Sequence, residues 1–496
     1  MSAILILAVF LGYFLVLCLF SWWTSEEGDN DAFFIGQRKS PWYLVAFGMI
    51  GASLSGVTYL SVPGVVGNLE VTNGHFSYLQ MVMGNMLGYL AIAMILLPVY
   101  YRLKLTSIYG YLEDRFGNMS LKTGASFFLL SRIIGASFRL FLVALVLQTF
   151  VFDEMGIGFP VTILVILLMI WIYTLKGGIK TIVWTDPLQT IFMLLAAGAA
   201  FYYMASDLGM GMTEAISTIK SSDYSRIFFF DDPKEGRYFF KQFLAGATIA
   251  FAMMGLDQDM MQKHNSCPNI GDARKNMFSF AIVLFLANVA FVGLGALLFI
   301  YAESKGISLP SKTDEVFASI ALNQFGQGMG ILFLIGLIAA AFSSADSALT
   351  ALTTSFCVDI LGFEKGEKDQ AKLKRTRFMV HMLFTFVLFL VILSFKYLLK
   401  SDVVSAVFRV AGYTYGPLLG LFVFGLFTKM QVRDRLVPIV CVLSPFLTYV
   451  LNVNSKAWFN GYAFGFELLL INGCITFVGL LLIRKAGKSA SELYPA

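Results

Sequence analysis

A chain of 496 residues that is 58% hydrophobic and 14% charged, with a mean hydropathy of +0.75, is not a soluble domain. Repeated long apolar runs mark an all-α polytopic membrane protein. The net charge of +5 is explained by basic loops and does not suggest nucleic acid. The five cysteines are scattered without metal-ligand spacing, and no Walker, dinucleotide-fingerprint or HExxH motif occurs. That argues against ATP-driven transport and against an enzyme.

At about 20 apolar residues per crossing, about 13 transmembrane helices are expected. They fall near 3–22, 43–66, 76–101, 123–150, 158–176, 183–205, 239–262, 276–302, 327–358, 377–396, 402–427, 436–452 and 461–483. No basic stretch precedes the first and no small-residue cleavage site follows it, so it is expected to remain as a span. Lys and Arg concentrate in alternate connections, among them 102–122, 263–275, the 365–377 run and 429–435. That bias puts the N-terminus outside and the C-terminus in the cytoplasm. The long outside loop, about 206–238, is expected to carry a short helix or two.

The span 43–66 crowds Gly48, Gly51, Gly56, Ser53, Ser55 and Thr58 into its middle and ends in Pro63-Gly64. Mid-helix Gly weakens a helix, and an unwound stretch would aim carbonyls at a cation. The span 239–262 repeats the pattern five spans later, with Gly255 before Asp257-Gln258-Asp259. Two interrupted spans at matching places indicate an inverted-repeat secondary transporter. Gly-rich helix packing is the alternative.

Three arginines sit at membrane depth. Arg139 on span 123–150 is expected to point inward, while Arg132, one turn nearer the cytoplasmic end, could snorkel. Arg409 lies on span 402–427. Arg139 or Arg409 could clamp a carboxylate bidentately, or pair with Asp257, Asp259 or a carbonyl. Asp186 reads as a helix N-cap with Pro187 at the first helical position, with a ligand role also open. On span 327–358, Ser343, Asp346 and Ser347 share one helix face beside Ser344. Those hard oxygen donors suit a small cation; packing serines that back-bond to the preceding turn are the alternative.

Residues 173–189, YTLKGGIKTIVWTDPLQ, strongly resemble the signature block of the sodium:solute symporter family. The segments at 51–64, 102–117, 257–263 and 416–427 resemble further blocks of that family in the same order, with Lys263 where Arg is usual. The resemblance covers about residues 1–484. It implies a leucine-transporter-type inverted five-helix repeat core with two broken helices, working by alternating access. The repeats would occupy 43–206 and 239–428, joined by the loop 207–238. An extra span and loop (1–42) would precede them, and two C-terminal spans with a tail (429–496) would follow.

The family likeness also implies sodium ion as the coupling ligand. The backbone carbonyls of Gly51, Leu54 and Ala340 and the hydroxyls of Ser343 and Ser344 would hold it. Asp186, Asp346 and Ser347 match a possible second sodium site; Asp346 stands where some relatives have Ser and could instead carry a proton. The substrate would contact Ser55 and Thr58, with Gln80 (or Asn85), Arg139, Asp257, Gln258 and Arg409 as further candidates. Sialic-acid-transporting members carry an Arg where this chain has Gly135. The expected function is sodium-coupled import of a sugar, sialic acid or organic anion. Rivals are a proton-coupled symporter of the same fold, a proline-like amino-acid symporter and a membrane sensor. The expected partners are a small-molecule substrate, sodium and membrane lipid, with no nucleic acid, in a monomer of the bacterial inner membrane.

Overall fold

The computed structural model describes residues 3–24, 33–34, 36–68, 74–363, 369–398 and 402–489. The start of the basic 365–377 run and the end of the C-terminal tail lie outside the described residues.

Among the described residues, eight helices are long and apolar enough to cross a membrane, or up to eleven if each of three bent pairs is one span. The expected spans near 158–176 and 461–483 are the shorter apolar helices Phe159–Thr174 and Leu468–Leu482. Among the described residues, the eleven and these two shorter helices lie at the thirteen expected positions, the two being below the length of the rest. The first of these short helices is set off from the helix Thr181–Asp207 at Gly178, whose φ of 50° and ψ of −136° only glycine adopts freely. The loop 206–238 carries the helix Met212–Ser221 and a 3-10 turn at Asp223–Ser225. Beyond the helices, Met430–Val432 pairs antiparallel with Arg484–Ser489, a short ribbon that the all-helical reading did not include.

Both expected interruptions are present. Trp42–Ser53 and Val57–Val65 meet at 61°, and Phe239–Gly255 and Gln258–Asn265 meet at 64°. In the first, Leu54 leaves the helical region with φ −78° and ψ 75°. In the second, Asp257 is extended and its side chain accepts the Asp259 N–H at 3.0 Å, starting a new helix.

A third bend was not expected. Val403–Thr414 and Gly416–Phe427 meet at 48°. Pro417 supplies the cause, since it has no N–H to donate and crowds the preceding turn. The Asn472 amide donates to the carbonyls of Gly412 (3.0 Å) and Tyr413 (2.9 Å), repairing the break.

The helix Gln327–Ile360 runs through the middle of the bundle, packed on Asn118–Phe152, on Phe159–Asp207 and on the first bent pair. Nearly all of it from Gly336 to Ser355 is buried. That contact puts its serines opposite the first break.

Candidate functional site

Ser343, Ser344, Asp346 and Ser347 are each at most 1% exposed. Gly51 packs so tightly here that a Cβ on it would lie 3.3 Å from the Ser343 hydroxyl. Ser343 donates to Asp186 Oδ1 at 2.9 Å and Ser347 to Asp186 Oδ2 at 3.4 Å. Asp186 therefore ties the serine helix to Thr181–Asp207. It lies inside that helix with Pro187, so the N-cap reading is corrected: the helix already begins at Thr181. Lys263 Nζ sits 2.8 Å from Asp186 Oδ2. This buried lysine joins the second broken pair to the Asp186–Ser343–Ser347 cluster.

Asp346 accepts from the Tyr173 hydroxyl at 2.8 Å and from the Ser347 N–H at 2.5 Å. Among the described residues, no Lys or Arg lies within ion-pairing distance of it. Nearby, the buried Gln189 amide lies beside the Tyr13 and Tyr173 hydroxyls. Gln189, which ends the signature block, was not among the expected site residues.

A cavity of about 110 Å³ adjoins this cluster. Ser55, Thr58 and Arg139 line it, as expected, together with Asn85, Arg132, Asn288 and the methionines Met253, Met254 and Met260. Gly135 has open space where a side chain would start.

Four expected substrate residues do not line the cavity. Gln80 is held by Arg237 O and by the Phe229 N–H, because the loop 206–238 folds over it. Gln258 spans Ile108 N and Thr106 O and so pins the 102–117 loop. Asp257 accepts from the Tyr415 hydroxyl. Arg409 is exposed.

Arg132, read as free to snorkel, is instead buried and paired with Asp259, with Asp257 Oδ2 at 3.9 Å. The acidic pair that was the alternative partner for Arg139 or Arg409 is thus taken. Arg139 donates from Nη1 to Ser344 Oγ at 2.8 Å.

Buried hydroxyls and carboxylates set against a broken helix, beside a polar, arginine-bearing cavity, fit a secondary transporter. A sequence model of the sodium:solute symporter family matches residues 33–433, and the chain belongs to that family. It is 25% identical to the sodium/sialic acid symporter SiaT of Proteus mirabilis, over 88% of each chain. It is 24% identical to the sodium/sialic acid symporter NanT of Aliivibrio fischeri, over 92% of this chain and 89% of that one. The human sodium/iodide cotransporter is 26% identical over 81% of this chain and 62% of its own length.

A solved sodium-coupled sialic acid symporter, substrate-bound and outward-open, superposes with a TM-score of 0.80. The identity is 21%, over 97% of this chain and 98% of that one. A nucleobase-cation-symport-1 transporter superposes at 0.57. The fold is therefore the leucine-transporter type. The protein is a multi-pass, sodium-coupled symporter of a small solute, and not an enzyme.

Proposed function

We propose that the symporter takes up a small anionic solute, bound in the cavity at Ser55, Thr58 and Arg139. Sodium would bind at the carbonyls of Gly51, Leu54 and Ala340 and the hydroxyls of Ser343 and Ser344. The observation that carries this is the buried Ser343–Ser344 pair set against the first break, with a cavity-lining arginine beside it. A guanidinium at membrane depth without a carboxylate partner favours an anion. The cavity is small beside the ~300–1,000 Å³ of drug-sized sites, which favours an organic anion over a larger sugar acid.

Sodium bound there would fasten the first break to the serine helix and favour solute binding. One sodium crossing ~100 mV releases about 2.3 kcal/mol, and a tenfold gradient adds about 1.4 kcal/mol. Together these would support roughly 500-fold accumulation of a neutral solute; a monovalent anion carried with one sodium moves no net charge, so the gradient alone would support about tenfold. We further propose a second cation, sodium or proton, at Asp346, Ser347 and Asp186. The buried Asp346 carboxylate, with no basic side chain in ion-pairing distance among the described residues, supports it. The membrane would be a bacterial inner membrane, with the N-terminus outside, the C-terminus inside and a monomer as the working unit.

The test is thermal stability in sodium against potassium across organic anions, sugars, sialic acids and amino acids, paired with uptake. Ser343→Ala with Ser344→Ala is expected to abolish sodium-stimulated uptake. Unchanged stimulation in that variant would remove the assignment.

A further inference from the structure

Two arginines line the cavity, and their surroundings differ. Arg132 is fixed by Asp259 and Asp257. Arg139 makes no ion pair among the described residues. Its guanidinium donates to the Ser344 hydroxyl at 2.8 Å while also facing the cavity. It therefore stands between the oxygen assigned to sodium and the space assigned to solute.

We propose that Arg139 is the residue that couples the two ligands. With sodium absent it caps Ser344; when sodium takes that oxygen, the guanidinium turns to the anionic group of the solute. This rests on the sodium-site reading above.

The argument is electrostatic. Arginine stays charged in proteins, so it cannot escape by losing a proton. A sodium ion on Ser344 and a guanidinium hydrogen-bonded to the same oxygen would be like charges a few ångströms apart in a poorly screened interior. The two therefore compete. An anion in the cavity draws Arg139 away and removes the competitor, which strengthens sodium binding. By linkage, sodium must strengthen anion binding by the same factor. Arg132 cannot do this, because its carboxylates already hold it. The neighbouring break adds room for movement: Gly56 lies against the Arg139 backbone with no side chain of its own.

The test is sodium titration of the purified full chain with no solute, in a choline chloride background, read by thermal stability. Couplings of this kind span about 5–150-fold. Arg139→Gln is accordingly expected to bind sodium at least about tenfold more tightly than wild type, a gain that a merely structural role would not give. Should that variant not fold, Arg139→Met, uncharged and of similar length, is expected to behave alike. Sodium affinity equal to or weaker than wild type in the uncharged variant would overturn the proposal, provided Ser344→Ala has lost the sodium response. A Ser344→Ala variant that keeps the response would overturn the sodium-site reading itself, and this inference with it.

Discussion

The two expected broken spans bend by nearly the same angle, 61° and 64°, but treat their freed backbone differently. At the second break, tyrosines satisfy the loose carbonyls: Tyr100 donates to Gly255 O at 3.0 Å and Tyr109 to Leu256 O at 2.8 Å. The charges there are matched as well, Arg132 with Asp259 and Lys263 with Asp186. At the first break, no side chain among the described residues donates to the carbonyls of Gly51 or Leu54. Backbone left open at membrane depth needs a partner. The same bend thus has its carbonyls capped by side chains in one repeat and, among the described residues, left without a side-chain donor in the other.

The hardest way to break the comparison is to remove the charge that completes the second joint. Arg132→Ala leaves Asp259 and Asp257 buried without their cation. Breaking a buried pair from one side costs about 3–5 kcal/mol, so little folded protein is expected in detergent extracts. A normal melting temperature for that variant would show the second break to be solvated, like a ligand site.

A gentler change sharpens the contrast. Tyr109→Phe takes the donor from Leu256 O and should cost about 1–3 kcal/mol. The solute-free sodium constant should stay at the wild-type value. A shifted sodium constant would mean that the second break also holds the ion.

The smallest effect belongs to the outer end of the first pair, where the loop Thr313–Glu315 closes over Gly64. Asp314 Oδ2 accepts the Val403 N–H at 3.0 Å. Burial pushes its carboxyl up to about 6; Ser61 and that amide oppose the shift, while Asp402 and Glu315 add to it. A carboxyl raised on folding contributes stability at low pH that is lost as pH rises through about 6. Stability should therefore fall between about pH 5 and pH 7 by on the order of 1–2 kcal/mol after allowance for partial exposure, seen as a lower melting temperature. Asp314→Asn should flatten that slope, as seen by melting across the pH range.

Much of the site was readable because its signals are local. The Gly-rich middle of span 43–66, the packed serines at 343–347 and the 173–189 block each declare themselves within a few residues. Ser55, Thr58 and Arg139 reached the cavity as their positions suggested. The errors came from partners distant in sequence. Gln80 and Gln258 carry polar amides on broken or adjacent spans, which fits a ligand role, yet each is consumed by backbone more than 140 positions away. Arg132 could have snorkelled by reach alone; its burial depended on two carboxylates arriving from the other repeat. The third bend had a signal in Gly416-Pro417, but its stability depended on Asn472.

By itself the sequence determined that this chain lies in a membrane, where its apolar helices fall, two of its three bent spans and which family its motifs join. Hydropathy and mid-helix glycine act over one or two turns and need no knowledge of neighbours. Only the tertiary structure decided which buried charge pairs with which. A charge at membrane depth must find a partner, and several partners were equally available in sequence. Packing assigned Asp259 to Arg132 and Asp186 to Lys263, and left Arg139 with a hydroxyl.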